Sequence, residues 1–320
     1  MKLDWYALDE LRESYLEGSA GGADYWKSDS LLSGYDSTFA RRIAWKWHWV
    51  QAELEKVKWA PPPGRILDYG CGTGVAAREF LTYYGATDRV VELQDRSPRA
   101  LRYAAQKVRQ EFPGVTVETI PSGLDPDVVL VSHVISELDD AAIQELISVL
   151  RKAKAVIMVE PGTRADSAKV VKVREALREE FQVVAPCTHR EPCGMLTESN
   201  ARHWCHFFAS PPPEVFKDGD WAHFSKTMSI DLRSLPLSFI VLDRTPPAAL
   251  PPDTVRLTGN ARLYKAHTLV TGCNACGVCE RRLQKRVDPQ FFRALVKSRT
   301  GTLQQWTLDG ADIIAAKELK

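Results

Sequence analysis

Residues 65–79 read Arg-Ile-Leu-Asp-Tyr-Gly-Cys-Gly-Thr-Gly-Val-Ala-Ala-Arg-Glu, with glycines at alternate positions. The residues before Asp68 predict a buried strand, and the run that starts at Val75 predicts a helix, so the glycines form a tight loop between them. Glycine admits positive φ and lets a ligand approach the main chain, while a helix N-terminus offers unpaired N–H donors. The third glycine comes one residue earlier than in the dinucleotide fingerprint G-x-G-x-x-G. We therefore interpret the loop as a nucleotide cradle that is one residue short for a pyrophosphate.

Asp-x-Gly-x-Gly-x-Gly after a buried strand resembles motif I of the class I S-adenosylmethionine methyltransferases. In that family the acid faces the methionine amino group, and the loop packs under the ribose and the methionyl part. The resemblance implies that S-adenosylmethionine is the cofactor and that five residues of the loop contact it: Asp68, Gly70, Cys71, Gly72 and Gly74.

Beyond the loop, strand and helix patterns alternate, as a parallel doubly wound sheet requires. Asp95 stands at the end of the predicted strand Val90–Gln94, about 20 residues after Gly74, where Rossmann-type folds bind ribose hydroxyls. Glu92 is the alternative, but it lies inside the strand, so Asp95 is preferred. Three further residues are expected at the cofactor, in the loop that flanks adenine and at the end of the fourth strand: Ser122, Gly123 and Ser132.

The composition is that of a soluble globular protein. The chain has 320 residues, a net charge of +1, 44% hydrophobic and 26% charged residues, which is enough for a large core and two domains. No apolar run approaches bilayer length, and the N-terminus has no apolar signal core. We expect a cytoplasmic monomer that does not contact a membrane.

The chain divides into four predicted parts. They are an N-terminal helical region (1–60), a Rossmann-like S-adenosylmethionine-binding domain (61–184), a cysteine-rich insertion (185–227), and the final sheet strands with a basic C-terminal module (228–320). In the first part, the segment 41–49 interleaves arginine and lysine with three tryptophans, a composition that RNA-binding surfaces use. Its apolar residues also recur at helical spacing, so a core face is the stronger interpretation.

Several motifs narrow the resemblance. They are Ser132-His-Val-Ile-Ser-Glu-Leu138, Val159-Glu-Pro-Gly-Thr163, Ala185-Pro-Cys-Thr-His189 with Cys193, and His203-Trp-Cys-His-Phe207. In this order they resemble the ribosomal small-subunit methyltransferase-like family, over about residues 35–286. Its mitochondrial members act as assembly factors on the small ribosomal subunit, so the resemblance implies the small subunit or its rRNA as the partner.

The family also implies a 4Fe-4S cluster held by four cysteines. Position by position, the resemblance assigns that role to Cys187, Cys193, Cys205 and Cys273. This chain adds Cys276 and Cys279, so either could be the fourth ligand instead. Four thiolates suit an iron–sulfur cluster or a structural zinc equally well, and the nearby histidines 189, 203 and 206 could serve zinc. The spacing by itself leaves the metal open.

The residues after the fourth strand bear on catalysis. Methyltransferases of this fold class that attack exocyclic base nitrogens usually carry an Asn/Asp-Pro-Pro-Tyr-like stretch there, and this chain has Ser132-His-Val-Ile instead. His133 and Glu137 are the titratable candidates, with His133 as a general base near neutral pH. The alternatives are a non-catalytic RNA-binding factor with a vestigial cofactor site and a small-molecule methyltransferase with a structural zinc.

Six basic residues surround the second cysteine group and are candidate RNA contacts: Arg262, Lys265, Arg281, Arg282, Lys285 and Arg286. Lysine and arginine bind phosphates without regard to sequence. A solvated charged surface is the alternative interpretation.

Overall fold

The computed structural model describes residues 4–16, 25–297 and 300–319, so part of the predicted N-terminal helical region, residues 1–3 and 17–24, lies outside the described residues. The helices are α1 (Trp5–Leu16), α2 (Asp29–Ser37), α3 (Phe39–Lys56), α4 (Val75–Tyr84), α5 (Pro98–Glu111), α6 (Asp140–Leu150), α7 (Arg164–Leu177), α8 (Gly219–Thr227) and α9 (Pro289–Val296). The strands of the first two thirds are β1 (Gly64–Tyr69), β2 (Arg89–Gln94), β3 (Thr116–Glu118), β4 (Val128–Ser132), β5 (Ala155–Pro161), β6 (Gln182–Ala185), β7 (Phe207–Ala209) and β8 (Leu235–Asp243). The last third adds β9 (Thr254–Leu263), β10 (His267–Asn274), β11 (Gly277–Gln284), β12 (Leu303–Asp309) and β13 (Asp312–Glu318).

The main sheet has the strand order β3-β2-β1-β4-β5-β8-β6, and β7 pairs with β8. Strands β1 to β5 pair in parallel, whereas β8 runs antiparallel to both β5 and β6. Parallel neighbours need crossover connections, which α4 to α6 supply. The arrangement confirms the predicted doubly wound α/β sheet. Its order changes direction between β1 and β4.

Both faces of this sheet are covered. One apolar layer joins the sheet to α1–α5, and a second joins it to α6 and α7. Residues Val128–Val131 of β4 are fully buried, because a parallel strand between two helical layers has no solvent face. Helix α5 begins with a side-chain cap, since Ser97 Oγ accepts a hydrogen bond from the N–H of Ala100 at 3.3 Å and Pro98 occupies the first turn.

Helix α3 is an interior helix rather than an exposed one. Its residues Ile43, Trp47 and Val50 are buried in the first apolar layer, and the Trp49 ring packs against the Phe207 ring with centroids 5.5 Å apart. The core interpretation of the segment 41–49 is therefore confirmed. Tryptophans packed in this way cannot stack on RNA bases.

Strands β9–β13 form a separate closed barrel, in the order β10-β11-β13-β12-β9. Its interior is filled by apolar side chains that include Val255, Leu257, Leu283 and Ile313, with Trp306 among them. Alternation of inward and outward residues along each strand produces this core. The sequence suggested a basic module at this place, and its barrel architecture was not predicted. Within the described residues, no helix is long and apolar enough to cross a membrane.

A buried ion pair joins the barrel to the sheet. Glu53 of α3 accepts hydrogen bonds from the guanidinium of Arg256 on β9 and from Thr302 Oγ1, the latter at 2.7 Å. Arg256 also donates to the carbonyl of Pro186 at 2.7 Å. Both charged side chains are almost fully buried, at 3% and 2% exposure. Burial by itself would raise the pKa of Glu53, but Arg256 and Lys56 lower it below its ordinary value of 4.5.

The first prediction concerns this pair. Glu53→Gln should lower the free energy of unfolding by about 3 to 5 kcal/mol, because it leaves the Arg256 charge buried without a counterion. A carboxylate whose folded pKa is depressed stabilises the fold above its unfolded pKa, and this contribution is lost as the pH falls. The deficit of the variant should therefore be largest near pH 7 and shrink below about pH 4.5, as measured by denaturant unfolding. Glu55→Gln, at an exposed position of the same helix, is the control and should change stability by less than about 0.5 kcal/mol. Equal deficits at pH 7 for the two variants would contradict the assignment.

Candidate functional site

A cavity of about 590 Å³ opens at the carboxyl ends of β1, β2 and β4. In open α/β sheets, ligands bind in the crevice where the strand order changes direction. The cavity is lined by the glycine loop (69–73), the end of β2 (94–96), the exit of β4 (132–134), and three aromatic residues, Tyr25, Trp26 and Tyr35. Its size lies within the range of small-molecule and cofactor sites.

The glycine loop brings the main chain to the cavity surface. Gly70 and Gly72 have φ values of 68° and 52°, in the left-handed region that favours glycine. A Cβ at Gly70 would lie 2.6 Å from Val134 Cγ2, so this position has no room for a side chain. A Cβ at Gly72 would meet no protein atom within 4 Å and would project from the loop that lines the cavity. The space beside Gly72 is therefore open.

Asp95 fixes this loop. Its Oδ2 accepts the N–H of Gly72 at 2.8 Å, and its Oδ1 accepts the N–H of Ser97 at 2.8 Å. The carboxylate lines the cavity. The alternative acid, Glu92, lies inside β2 and accepts a hydrogen bond from Ser122 Oγ at 2.7 Å. Of the two acids, Asp95 is therefore the one that faces the ligand space.

The structure separates the predicted cofactor residues into two groups. Five of them line the cavity: Gly70, Cys71, Gly72, Asp95 and Ser132. Four do not: Asp68, Gly74, Ser122 and Gly123. Asp68 is 1% exposed, and its Oδ2 accepts the N–H of Ala77 at 3.1 Å, so it anchors the first turn of α4 behind the loop. Burial raises the pKa of Asp68 to about 7.

The exit of β4 carries a histidine and its lysine partner. His133 lines the cavity and has φ 58°, an uncommon conformation for a residue other than glycine. Lys46 of α3 places its Nζ 3.2 Å from His133 Nε2, and the next residue, Trp47, donates its indole N–H to Ser132 Oγ at 3.0 Å. Burial, and next the neighbouring Arg42, lowers the pKa of Lys46 to about 7. Burial also holds the pKa of His133 well below its ordinary value, with Lys46 as the next cause.

Sequence reasoning missed the role of Lys46. A signal for it exists, because position 46 lies three residues after Ile43 and four before Val50 on the apolar side of α3. A lysine on a buried stripe needs a partner, and only the fold shows that this partner is His133.

Glu160 stabilises the backbone turn that follows β4 and carries His133. It is fully buried, and its carboxylate accepts the backbone N–H groups of Val134 at 3.3 Å and Ile135 at 3.2 Å. Burial raises the pKa of Glu160 to about 8. Glu160, the acid of the Val159–Thr163 motif, therefore fixes the backbone that follows β4.

Glu137, the second catalytic candidate, is held on both oxygens. Tyr25 donates its hydroxyl to Oε1 at 3.0 Å, and Arg96 donates to Oε2 at 2.9 Å. Burial raises the pKa of Glu137, while Tyr25 and Arg96 oppose that rise. These hydrogen bonds join Tyr25, from the N-terminal part of the chain, to Glu137 on the opposite segment of the cavity lining.

The four cysteines assigned by resemblance come from separate segments. Burial raises the pKa of Cys205 well above its ordinary value, and Cys187, Cys273 and Cys193 contribute to the rise, so all three lie within electrostatic range of Cys205. Arg174, buried beneath them, donates to Cys187 Sγ at 3.3 Å. In contrast, Cys276 is exposed. Across residues 4–16, 25–297 and 300–319, no three His, Cys, Asp or Glu side chains are already arranged to hold a metal ion.

The predicted basic surface is partly neutralised. Arg282 forms two hydrogen bonds to Asp312, at 2.6 and 2.8 Å, and Arg262 is paired with Glu280. Arg281 reaches the carbonyl of Gly310 at 3.4 Å. The other three members are exposed: Lys265, Lys285 and Arg286.

The second prediction tests the Lys46 contact. In Lys46→Met the pKa of His133 should rise toward its ordinary value, because one of the charges that lowers it is removed. Imidazole proton resonances followed by NMR against pH would measure this, with the His133 signal identified by its loss in His133→Gln. Arg41→Met removes an exposed cation from the same helix and is the control. A His133 midpoint that stayed unchanged in Lys46→Met would contradict the contact.

The chain is similar to several proteins of known structure. Similar solved structures include a putative RNA methyltransferase from Pyrococcus horikoshii (12% identity, 73% of this chain and 99% of that chain covered, TM-score 0.37) and an S-adenosylmethionine-dependent methyltransferase from Aquifex aeolicus (18%, 49% and 89%, 0.36). A third is TrmK from M. capricolum in complex with S-adenosyl-homocysteine (10%, 62% and 71%, 0.32). No curated protein matches the chain. The sequence profile of the family described as mitochondrial small ribosomal subunit Rsm22 matches residues 37–304, which is most of the chain. The chain therefore belongs to the mitochondrial small ribosomal subunit Rsm22 family.

Proposed function

We propose that the protein binds S-adenosylmethionine in the cavity at the β1, β2 and β4 ends and methylates RNA of the small ribosomal subunit. The observation that carries the cofactor proposal is the pairing of Gly72 and Asp95, which leaves an open, glycine-lined space beside a carboxylate. The family's description supplies the ribosomal context.

The residues present fit this cofactor. A carboxylate offers about four lone-pair sites, so Asp95 can accept ribose hydroxyls in addition to the N–H groups of Gly72 and Ser97. The positive φ of Gly70 and Gly72 allows the ligand to approach the main chain. When bound, the cofactor supplies an activated methyl group. The work of the chain is to orient a nucleophile toward it and to exclude water.

His133 is the group at the cavity surface that can take a proton from a nucleophile. Its lowered pKa keeps the imidazole neutral near pH 7, and also makes it a weaker base than an ordinary histidine. Lys46, behind it, holds the ring through the Nζ to Nε2 contact. Glu160 fixes the backbone of the turn on which the ring stands. Lys46 and Glu160 are thus positioning residues for His133.

A non-catalytic assembly factor is the second candidate. It is favoured by the β4 exit itself, because His133 Nε2 is already in contact with Lys46 and both oxygens of Glu137 are bonded. In this candidate the protein binds cofactor and ribosomal particle without turnover. The cytoplasmic expectation stays a prediction, since the family is described as mitochondrial.

We also propose that the four cysteines hold a 4Fe-4S cluster with a structural role. Cys187, Cys193 and Cys205 belong to the insertion, whereas Cys273 lies on β10 of the barrel. Their side chains would have to move closer together to bind the cluster, and the cationic Arg174, which contacts Cys187, would offset part of the negative charge of the thiolates. Cys273 rather than Cys276 is the fourth ligand of this proposal, because its pKa is raised by burial and then by Cys187 and Cys193. The cluster would tie the insertion to the barrel.

The third prediction tests the cofactor. Titration calorimetry should give micromolar or tighter binding of S-adenosylmethionine or its demethylated product, and no binding of NAD. Gly72→Val should abolish it, because the new side chain fills the ligand space, and Asp95→Asn should weaken it at least about tenfold through loss of charge-assisted hydrogen bonds. Ser122→Ala is the control, since Ser122 lies outside the cavity and bonds to Glu92. Tighter binding of NAD would refute the assignment.

Methyl transfer then separates the two candidate functions. Labelled cofactor incubated with small-subunit RNA should label the RNA with the wild-type protein and not with Gly72→Val. If the wild-type protein binds cofactor and the particle but transfers no label, the assembly-factor candidate is the correct one.

The fourth prediction concerns the metal. Protein purified without oxygen should be brown and contain iron and acid-labile sulfide. Cys205→Ser should lose both and unfold at a lower temperature, because structural metal binding contributes folding free energy. Cys276→Ser, at an exposed position, is the control and should retain them. Stoichiometric zinc without sulfide would show that the cluster assignment is wrong, and loss of metal in Cys276→Ser with retention in Cys273→Ser would reassign the fourth ligand.

A further inference from the structure

The C-terminal barrel has the connectivity of an OB-fold. Its first strand, β9, pairs with β10 and with β12, and its third strand, β11, pairs in parallel with the fifth, β13. Helix α9 lies between the third and fourth strands. OB-folds are five-stranded Greek-key barrels that bind oligonucleotides or oligosaccharides on the face of strands two and three and at the loops between strands one and two and strands four and five. The topology therefore indicates where a ligand would bind.

Part of that face is covered in this chain. Arg256 and Cys273, on β9 and β10, are buried toward α3 and the cysteine-rich insertion. A Cβ placed on Gly194 of the insertion would lie 2.9 Å from the backbone nitrogen of Val278 on β11, so the two backbones are in contact there. The part of this face that lies nearest the sheet is therefore covered by α3 and the insertion.

The other end of the barrel is exposed, and the loops that bind ligands in OB-folds meet there. The turn between β9 and β10 is joined to the end of β11, since the N–H of Lys285 donates to the carbonyl of Ala266 at 2.9 Å. The turn between β12 and β13 is joined to β11, since the N–H of Arg282 donates to the carbonyl of Ala311 at 3.0 Å. Tyr264 in the first turn is 49% exposed.

This end combines an aromatic stack with cations. The rings of Tyr264 and His267 are stacked, with centroids 4.6 Å apart and planes 10° apart. Lys265, Lys285 and Arg286 are exposed beside them. Proteins that bind single-stranded nucleic acid combine a positively charged groove with aromatic rings on which bases stack.

A second stack continues this surface toward the sheet. Trp204 and His206 are stacked with ring centroids 4.4 Å apart, and Arg164 lies over the Trp204 ring at 5.5 Å. The two stacks are connected, because Glu280 pairs with Arg262 of the barrel and with Arg202 of the insertion.

The second stack lies at the sheet edge that carries the cavity. The indole N–H of Trp204 donates to the carbonyl of Gly162 at 3.0 Å, immediately after the carboxyl end of β5. The carboxyl ends of parallel neighbours lie at one edge, and β5 is the neighbour of β4. An RNA strand in contact with both stacks would therefore extend toward the sheet edge at which His133 lies.

We propose that this surface, from Tyr264 and His267 across Arg262 to Trp204 and His206, binds single-stranded RNA and leads it toward the cavity. The idea rests on the proposed function for its substrate class. It goes further in assigning single-strand recognition to the barrel and to the insertion. The exposed lysines provide phosphate contacts, the exposed Tyr264 ring provides sequence-tolerant stacking, and Arg164 over Trp204 adds a cation near the sheet.

Fluorescence anisotropy with the full chain tests the proposal. The probes are a labelled single-stranded 12-nucleotide RNA and the same RNA as a duplex, titrated over a range of salt concentrations. The single strand should bind more tightly than the duplex. Tyr264→Ala should weaken its binding about tenfold, as the loss of one stacking ring implies. Lys265→Glu with Lys285→Glu should weaken it further and reduce the salt slope by about 1.4, since each lost phosphate contact contributes about 0.7.

Matched controls are available on other surfaces. Tyr6→Ala removes a tyrosine that is 76% exposed on α1, and Lys152→Glu reverses an exposed charge after α6; neither should change RNA binding. Cofactor binding by calorimetry should be unchanged in every surface variant, which separates this proposal from the cofactor proposal. Equal or tighter binding of the duplex, or full affinity in both Tyr264→Ala and the double lysine variant, would overturn the proposal even if cofactor binding stands. Unchanged binding of these variants to small-subunit particles would overturn it in favour of a protein contact.

Discussion

The burial of helix α3 between the sheet and the barrel is the constraint on which the rest of the structure depends. The middle of the helix reaches the cavity through Lys46 and Trp47, and its last turns reach the barrel through Glu53. A helix rises 1.5 Å per residue, so these contacts are held at a fixed separation of about two turns. The cavity and the barrel are therefore connected through the same helix.

That arrangement buries charged groups, which is costly unless each has a partner. Glu53 and Arg256 pair with each other, so the position of the barrel against the sheet depends on a directional ion pair as well as on apolar contacts. At the cavity the two buried groups do not form an ion pair. Lys46 and His133 lie in contact, and burial lowers the pKa of each, which favours the uncharged form of both side chains. Perturbed titratable groups beside a cavity are typical of functional sites, which is why the β4 exit is the most informative part of the molecule for mechanism.

The cysteine-rich insertion and the barrel depend on each other in a similar way. The insertion contributes Cys187, Cys193 and Cys205 and the Trp204 and His206 stack, while the barrel contributes Cys273 and the Tyr264 and His267 stack. The proposed cluster site and the proposed RNA-binding surface are therefore both formed by the insertion and the barrel. A change that separates the insertion from the barrel would affect both.

The sequence by itself determined the α/β sheet, the glycine loop and the preference for Asp95, because strand and helix periodicity and glycine spacing are local properties of the chain. It also indicated that the apolar stripe of the segment 41–49 belongs to the core. Periodicity could not show that Lys46 meets His133 or that Asp68 supports α4 from behind the loop, since these contacts join residues far apart in the chain. The four cysteines were assigned by resemblance, whereas only the fold shows that Cys187, Cys193 and Cys273 lie within electrostatic range of Cys205, where they contribute to its raised pKa. The closed barrel and the pairing of Arg262 and Arg282 with carboxylates were likewise decided by tertiary structure, because strand order and cross-strand neighbours depend on non-local pairing that composition does not encode.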